Sequence, residues 1–323
     1  MAPCKPILTR REALVGAAAA TTLMGMPAGA AAPLLGPDSA DYQRVRLGEF
    51  EVTTIQDGIR SVPSIHPFFG GNVDKAEVDA LAVQNLLPTD GMRLGFTPTL
   101  VNNGRELVLF DAGNGNARGP ETGLLVTNLA KAGYTPEQVD VVAITHMHPD
   151  HIAGLITDGA PTFPKARYVV PTAEYDFWTN PDLASNQRLS GIHALVTERV
   201  KPLAEKISFI GDGEKVVTGI TAVAAHGHTP GHTLFRVESG GKSLLITADT
   251  ANHFVFSLQR PDWHFQFDFE PEAAAATRRK VFNMLAADKM AFIGYHMPFP
   301  SIGYVQVRGD GFGYTPHSYQ LDL

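Results

Sequence analysis

Three imidazoles and a carboxylate fall within six residues, at His146, His148, Asp150 and His151, directly after the apolar run 139–144 (VDVVAI). That run reads as a buried strand, so the cluster sits on a rigid edge. His146 and His148 are two apart, and in an extended segment their side chains leave on one face and can reach one ion. Asp150 and His151 fall where the chain turns into the apolar stretch 152–156, so they point elsewhere and suit a second ion. Imidazole and carboxylate without thiolate fit zinc first, with manganese, iron or cobalt as alternatives. A solvated loop gathers a single histidine easily, but four ligating side chains in six residues after a buried strand form a metal pattern.

Three later segments repeat the logic of an apolar strand ending in a ligand. Residues 219–225 lead to His226-Gly-His228-Thr-Pro-Gly-His232, residues 243–248 lead to Asp249, and residues 290–295 lead to His296. A glycine-rich turn, 111–116, follows another apolar run. It lacks a P-loop lysine and a dinucleotide fingerprint, so Asp111 is expected to orient the histidine loop rather than to serve a nucleotide.

Around these segments the sequence predicts strands over 45–55 with a turn at Asp57-Gly58, over 96–101 and 106–110, at 167–170, and a last strand at 304–307. Helices are expected at 74–87 with an Asp74 cap, 123–133, 172–178 with a Thr172 cap, 187–200, and 272–288. In the last of these, Arg278, Arg279 and Lys280 read as a solvated face. Residues 253–269 are dense in aromatics and suit either a pocket lid or a dimer contact.

The first thirty residues read as an address. Thr9-Arg10-Arg11 precedes a small, apolar run and an Ala28-Gly29-Ala30 cleavage signature, a pattern that resembles a twin-arginine signal with Ala13 where Phe is usual. Export to the periplasm or outside is therefore expected, with no stable membrane anchor after cleavage, because the run is too short to span a bilayer. Residues 31–44 read as a linker and 45–323 as a single catalytic domain. The only cysteine, Cys4, lies in the leader, so the remainder has neither disulfide nor thiolate. Lys5, Arg10, Arg11 and Glu12 give residues 1–30 a net +2, which takes the charge of −7 to −9 once they are removed. An acidic chain without a basic stripe argues against nucleic-acid binding.

The histidine motif, the Gly-His-Thr-Pro-Gly-His segment, Asp249 and His296 together resemble the metallo-beta-lactamase superfamily of binuclear metallohydrolases, over nearly all of the chain after the leader. The resemblance implies an α/β fold of four layers (αβ/βα), two mixed sheets sandwiched between helices. It also implies two Zn(2+) per chain: His146, His148 and His232 on the first, Asp150, His151 and His296 on the second, and Asp249 bridging. Asp150 and Asp249 would be catalytic, with a water shared by the metals attacking an ester carbon or phosphorus. His226 and His228 sit in a tight turn and are not carried over as ligands; His66, His193, His253, His264 and His317 read as surface or structural.

Within the superfamily the chain looks most like the branch of methyl parathion hydrolase and the acyl-homoserine lactonases. Trp178 and Phe177 are expected to line the substrate pocket. Arg118 stands where the phosphotriesterase has a second pocket aromatic, which turns the reading towards a small-molecule lactone or carboxylic ester. Organophosphate triester hydrolysis is the alternative, and a mononuclear iron sulfur dioxygenase is an alternative of another class. Asp249 argues against a true beta-lactamase. Arg308 as the one basic residue from Gly303 onward argues against a glutathione thioesterase. A homodimer is a further expectation carried by the resemblance.

Overall fold

The central strands of this chain are apolar on both faces because they are covered on both. The computed structural model describes Leu34, Gly36 and residues 38–323 apart from Arg118, Pro120 and Ser318. The expected signal at 1–30 and the pocket candidate Arg118 therefore lie outside the described residues. Ala40–Leu323 forms one compact unit. It holds two seven-stranded sheets. The first runs Tyr42–Leu47, Phe50–Ile55, Thr99–Asn102, Leu107–Phe110, Val141–Ala143, Arg167–Pro171, Ile207–Ile210 across its width. The second runs Lys215–Val217, Ile220–Ala224, Thr233–Ser239, Lys242–Ala248, Ala291–Gly294, Ile302–Arg308, Gly311–Pro316.

Period-two alternation sorts the side chains between layers. Val108, Phe110, Val141 and Ala143 meet Phe235, Val237, Leu244 and Ile246 of the other sheet in one central core. Their neighbours Leu109 and Val142 face outwards, onto Leu125, Leu129 and Val196 of the helices Leu125–Lys131 and Ser190–Arg199. On the far side Leu234, Leu245 and Phe292 pack under Val281, Phe282 and Leu285 of the helix Pro271–Asp288. Each such fully buried side chain stabilises the sandwich by roughly 1.5–3 kcal/mol. The result is the expected four-layer α/β architecture. The sheets are mixed: four strands of the first, from Leu107–Phe110 to Ile207–Ile210, are parallel, and the hairpins are antiparallel.

Several expectations need correction. The first strand begins at Tyr42, so the linker does not extend to residue 44. The run 96–101 is broken at Pro98, which has no N–H to donate to a ladder. Met92–Phe96 pairs with Gly58–Val62, and Thr99–Asn102 enters the first sheet. The last strand is not 304–307 but Gly311–Pro316, after the hairpin partner Ile302–Arg308. Asp74 stands at a helix N-cap without a side-chain cap bond, and Thr172 is the first residue of its helix, with Pro171 at the cap. No helix among the described residues is long and apolar enough to cross a membrane.

The expected solvated face of helix Pro271–Asp288 is half wrong. Arg278 is 1 % exposed, and its guanidinium donates to the carbonyls of Thr250, Pro261 and Trp263 and to Asp268 Oδ2 at 3.0 Å. Arg279, one position on, pairs with Asp262 at the surface. Helical rotation by one residue thus separates a structural ion pair from a solvated one. Removing one partner of a buried pair strands the other charge, at roughly 3–5 kcal/mol, whereas an exposed pair contributes about 0–1 kcal/mol. We expect Arg278→Met to lower the unfolding free energy by the larger amount and Arg279→Met by the smaller, as read from denaturant unfolding curves.

Candidate metal centre

The ligand-bearing residues stand along one edge of the sandwich because the strands deliver them there. Asp111 and the loop 145–151 follow the parallel strands Leu107–Phe110 and Val141–Ala143, and Asp249 and His296 follow Lys242–Ala248 and Ala291–Gly294. Thr233–Ser239 is antiparallel to Lys242–Ala248, so His232, which precedes it, comes to the same edge. There the Thr233 N–H donates to the Thr145 carbonyl at 3.0 Å, joining the sheets between the two histidine motifs.

Two groups of ligand atoms form, each within 4.8 Å. In the first, His148 Nδ1 lies 3.1 Å from His146 Nε2 and 2.9 Å from His228 Nε2, and Asp249 Oδ2 is 3.3 Å from His228 Nε2. In the second, His151 Nε2 is 3.5 Å from Asp150 Oδ2 and 3.3 Å from Asp249 Oδ1, and His296 Nε2 is 3.5 Å from Asp150 Oδ2. Asp249 belongs to both groups, as a bridging carboxylate must. His232 is fully buried beside the first group; its Nδ1–H donates to Ala225 O at 3.0 Å, and its Nε2 accepts the Asp249 N–H at 3.2 Å. All seven residues singled out as ligands are thus brought together.

One imidazole outside the expected ligand set joins the first group. His228, set aside as part of a tight turn, points its Nε2 into the first group, while His226 is exposed. Gly227 at φ +127° makes the turn, and Asp268 Oδ1 takes His228 Nδ1 at 2.8 Å. Asp268 is in turn held by Arg278. Nothing local in the sequence signals this, since the carboxylate is forty residues away in the chain.

Asp111 acts as anticipated, turned to φ +62° so that its carboxylate faces the loop. Oδ1 accepts Thr145 N–H at 2.9 Å, while Oδ2 accepts the Thr145 hydroxyl at 2.8 Å and His151 Nδ1 at 2.7 Å. That last bond fixes the His151 tautomer and leaves Nε2 for the ion. His296 Nδ1 is anchored on Gly95 O at 2.8 Å, and Tyr295 donates its hydroxyl to Asp150 O at 2.6 Å.

The electrostatics suit cations. Burial, together with the charge of His228, lowers His148 and His232 to about 3, so both stand neutral, the form in which an imidazole ligates metal. Burial opposes ionisation of Asp249, but His296, His151 and His146 outweigh it and hold the carboxyl well below its usual range. Burial likewise opposes a charge on His151, yet Asp249, Asp111 and Asp150 raise it well above an ordinary imidazole. Three carboxylates around it attract positive charge to this point. Two buried atoms there, His151 Nε2 and Asp249 Oδ1, have no hydrogen-bond partner. Orphaned donor atoms of ligating type, facing each other across 3.3 Å, fit a divalent ion coordinated by both.

The two groups open onto a cavity of about 520 Å³, to which His148, Asp150, Asp249 and His296 contribute. Phe68, Phe96, Phe265 and Phe267 make its apolar walls, and Arg60 and Arg188 also line it. Trp178 and Phe177 do not. Trp178 is 1 % exposed in the core beneath the first sheet, and Phe177 packs against it and Phe269. The aromatic segment 253–269 divides its roles: Phe256 stacks with Phe69 in a core cluster and His253 sits tilted against Phe69, while Phe265 and Phe267 reach the cavity. The other histidines are structural or peripheral, His193 on Trp178 O, His66 on Val73 O and His264 near Glu272.

Comparison with known proteins agrees with this geometry. The family described as the metallo-beta-lactamase superfamily matches residues 97–291. An N-acyl homoserine lactonase of Bacillus cereus is 30% identical over 156 residues, 48% of this chain; the chain spans only 56% of that relative's length. AidC, a dizinc quorum-quenching lactonase solved in complex with a product, superposes with a TM-score of 0.81 at 29% identity, covering 86% of this chain and 98% of the other. A hydrolase of the beta lactamase superfamily, AbOPH, gives 0.82 at 26% identity, covering 88% and 99%. With more than half of its residues matched and its buried His/Asp edge in place, the chain belongs to the metallo-beta-lactamase superfamily.

Proposed function

We propose that the protein is a metal-dependent hydrolase that opens a lactone or cleaves a carboxylic ester with an apolar acyl part, using two zinc ions. The observation that carries this reading is that both ligand groups contribute residues to the lining of an aromatic-walled cavity of about 520 Å³, within the range of small-molecule sites. The likeness to an N-acyl homoserine lactonase and to AidC supports the lactone as substrate class.

His146, His148 and Asp249 would hold the first ion, with His232 and His228 both directed at it; Asp150, His151, His296 and Asp249 would hold the second. Bound there, divalent ions supply Lewis acidity, acidifying a water and polarising an ester carbonyl. The chain's own residues do the rest. Phe68, Phe96, Phe265 and Phe267 exclude water from the acyl chain and set the ester over His148, Asp150 and His296. Asp150, at the cavity surface and tethered through its backbone by Tyr295, is placed to accept a proton from the attacking water. Arg60 and Arg188, also lining the cavity, offer donors to the polar end of the substrate.

Dialysis against a strong chelator should lower the thermal midpoint by several degrees, because ions that bind only the folded state add stability by mass action. Readdition of zinc should restore it, and an unchanged midpoint with intact activity would remove metal from the account. Asp249→Ala should lose the second ion and nearly all turnover; two ions per chain and a near-normal rate in that variant would show that Asp249 is no bridge. Asp150→Asn should keep its circular dichroism while kcat falls by orders of magnitude. Finally, kcat/KM on an acyl-homoserine lactone should exceed that on an aryl phosphotriester by two or more orders of magnitude. The reverse ratio would make the protein an organophosphate hydrolase. One iron per chain with oxygen uptake would make it a dioxygenase.

A further inference from the structure

Glu174 is a buried charge that neither ligand group includes. It lies in the helix Thr172–Trp178, after the strand Arg167–Pro171, is 0 % exposed, and forms no ion pair with the other described residues. Both of its oxygens are fully engaged. Oε1 accepts the backbone N–H of Met147 at 2.8 Å and the indole N–H of Trp178 at 2.7 Å. Oε2 accepts the Thr229 hydroxyl at 2.7 Å and the backbone N–H of Gly231 at 2.8 Å.

The placement of those donors is what matters. Met147 stands between His146 and His148, on the loop that leaves the first sheet. Thr229 and Gly231 stand between His228 and His232, on the loop that enters the second. One carboxylate therefore ties together the loop that carries His146 and His148 and the loop that carries His228 and His232, which hold the three imidazoles of the first group and the one beside it. Gly231 is needed for the approach, since a Cβ there would meet Glu174 N at 2.1 Å. The second position is anchored independently: His151 on Asp111, His296 on Gly95, and the Asp150 backbone on Tyr295.

We infer that Glu174 is a positioning residue that sets the affinity of the first metal position and leaves the second alone. This rests on the metal reading above. A glutamine has the same shape but presents one oxygen and one NH₂ group. With its oxygen towards the two fixed donors Met147 N–H and Trp178 N–H, its NH₂ faces Thr229 and Gly231. The Thr229 hydroxyl can rotate to accept, but the Gly231 N–H cannot, so the loop bearing His228 and His232 loses its hold. Partners of this kind, one bond removed from the ligands, are commonly worth about 10–100-fold in metal affinity.

The test titrates wild type and E174Q with zinc against a chromophoric chelator, and follows the visible spectrum of the cobalt-loaded proteins. The expected result is two ions in wild type. In E174Q one affinity should fall by about 10–100-fold and the other stay unchanged, with the cobalt band of one position lost. W178F removes a donor that lies on neither loop while keeping an aromatic ring beside His148, and should lower the thermal midpoint without moving either affinity. Should E174Q not fold, T229V removes a single loop donor and should weaken the same ion by a smaller factor. Unchanged affinities in a folded E174Q (or in T229V when it has to stand in), or equal loss of both ions, would show that Glu174 serves packing alone. A wild-type protein that binds no ions would instead overturn the metal reading, and this inference with it.

Discussion

Eight ionisable side chains crowded out of water at one edge of a sandwich are the constraint to which the rest of this protein answers. His146, His148, Asp150, His151, His228, His232, Asp249 and His296 are all buried or nearly so, and two of their facing atoms, His151 Nε2 and Asp249 Oδ1, have no hydrogen-bond partner. Burying charge without compensation is among the costliest acts in folding. Divalent cations between the groups would resolve it. The fold's contribution is to make the arrangement rigid before any ion arrives.

Rigidity comes from bonds one step behind the ligands. Asp111 holds Thr145 and His151, Asp268 holds His228 and is itself held by Arg278, and Glu174 joins the two histidine loops. These three carboxylates are each at most 1 % exposed, and each takes hydrogen bonds from a segment that bears a ligand. They come from three different places in the fold: a strand end, a loop under the long helix, and the helix after the third parallel strand. An edge built this way holds the ligand-bearing segments through bonds from both sheets, the kind of support that metal coordination demands.

The cavity above it follows a different logic. Its walls are supplied by segments outside the two sheets, the hairpin Gly58–Val62 with Met92–Phe96, the loop 63–68 and the segment 265–267. The core cluster of Phe69, Val78, Phe256 and Trp263 fixes these loops to one another, so the aromatic walls are braced by packing of their own. Chemistry and selectivity therefore reside in separable parts: a metal edge set by the sheets and a pocket set by the loops.

The cluster of His146, His148, Asp150 and His151 was legible as a candidate metal edge because metal chemistry needs particular side chains at short spacing, and strand geometry turns a spacing of two into a shared face; His232, Asp249 and His296 joined it through the family resemblance. The four layers followed from the family resemblance that the motifs carry, and strands apolar on both faces, which require cover on both, agree with it. Partners distant along the chain were not legible. The roles of His228, Glu174 and Arg278 depend on contacts across 40, 57 and 28 residues, and no local pattern distinguishes a buried carboxylate or guanidinium from a solvated one. The pocket was misread for the same reason: Trp178 looks like a wall in the sequence, but helix Thr172–Trp178 turns it into the core, where its indole meets Glu174. Residue type and spacing fix which chemistry the chain can perform; packing alone decides which side chains face the substrate and which hold the ligands still.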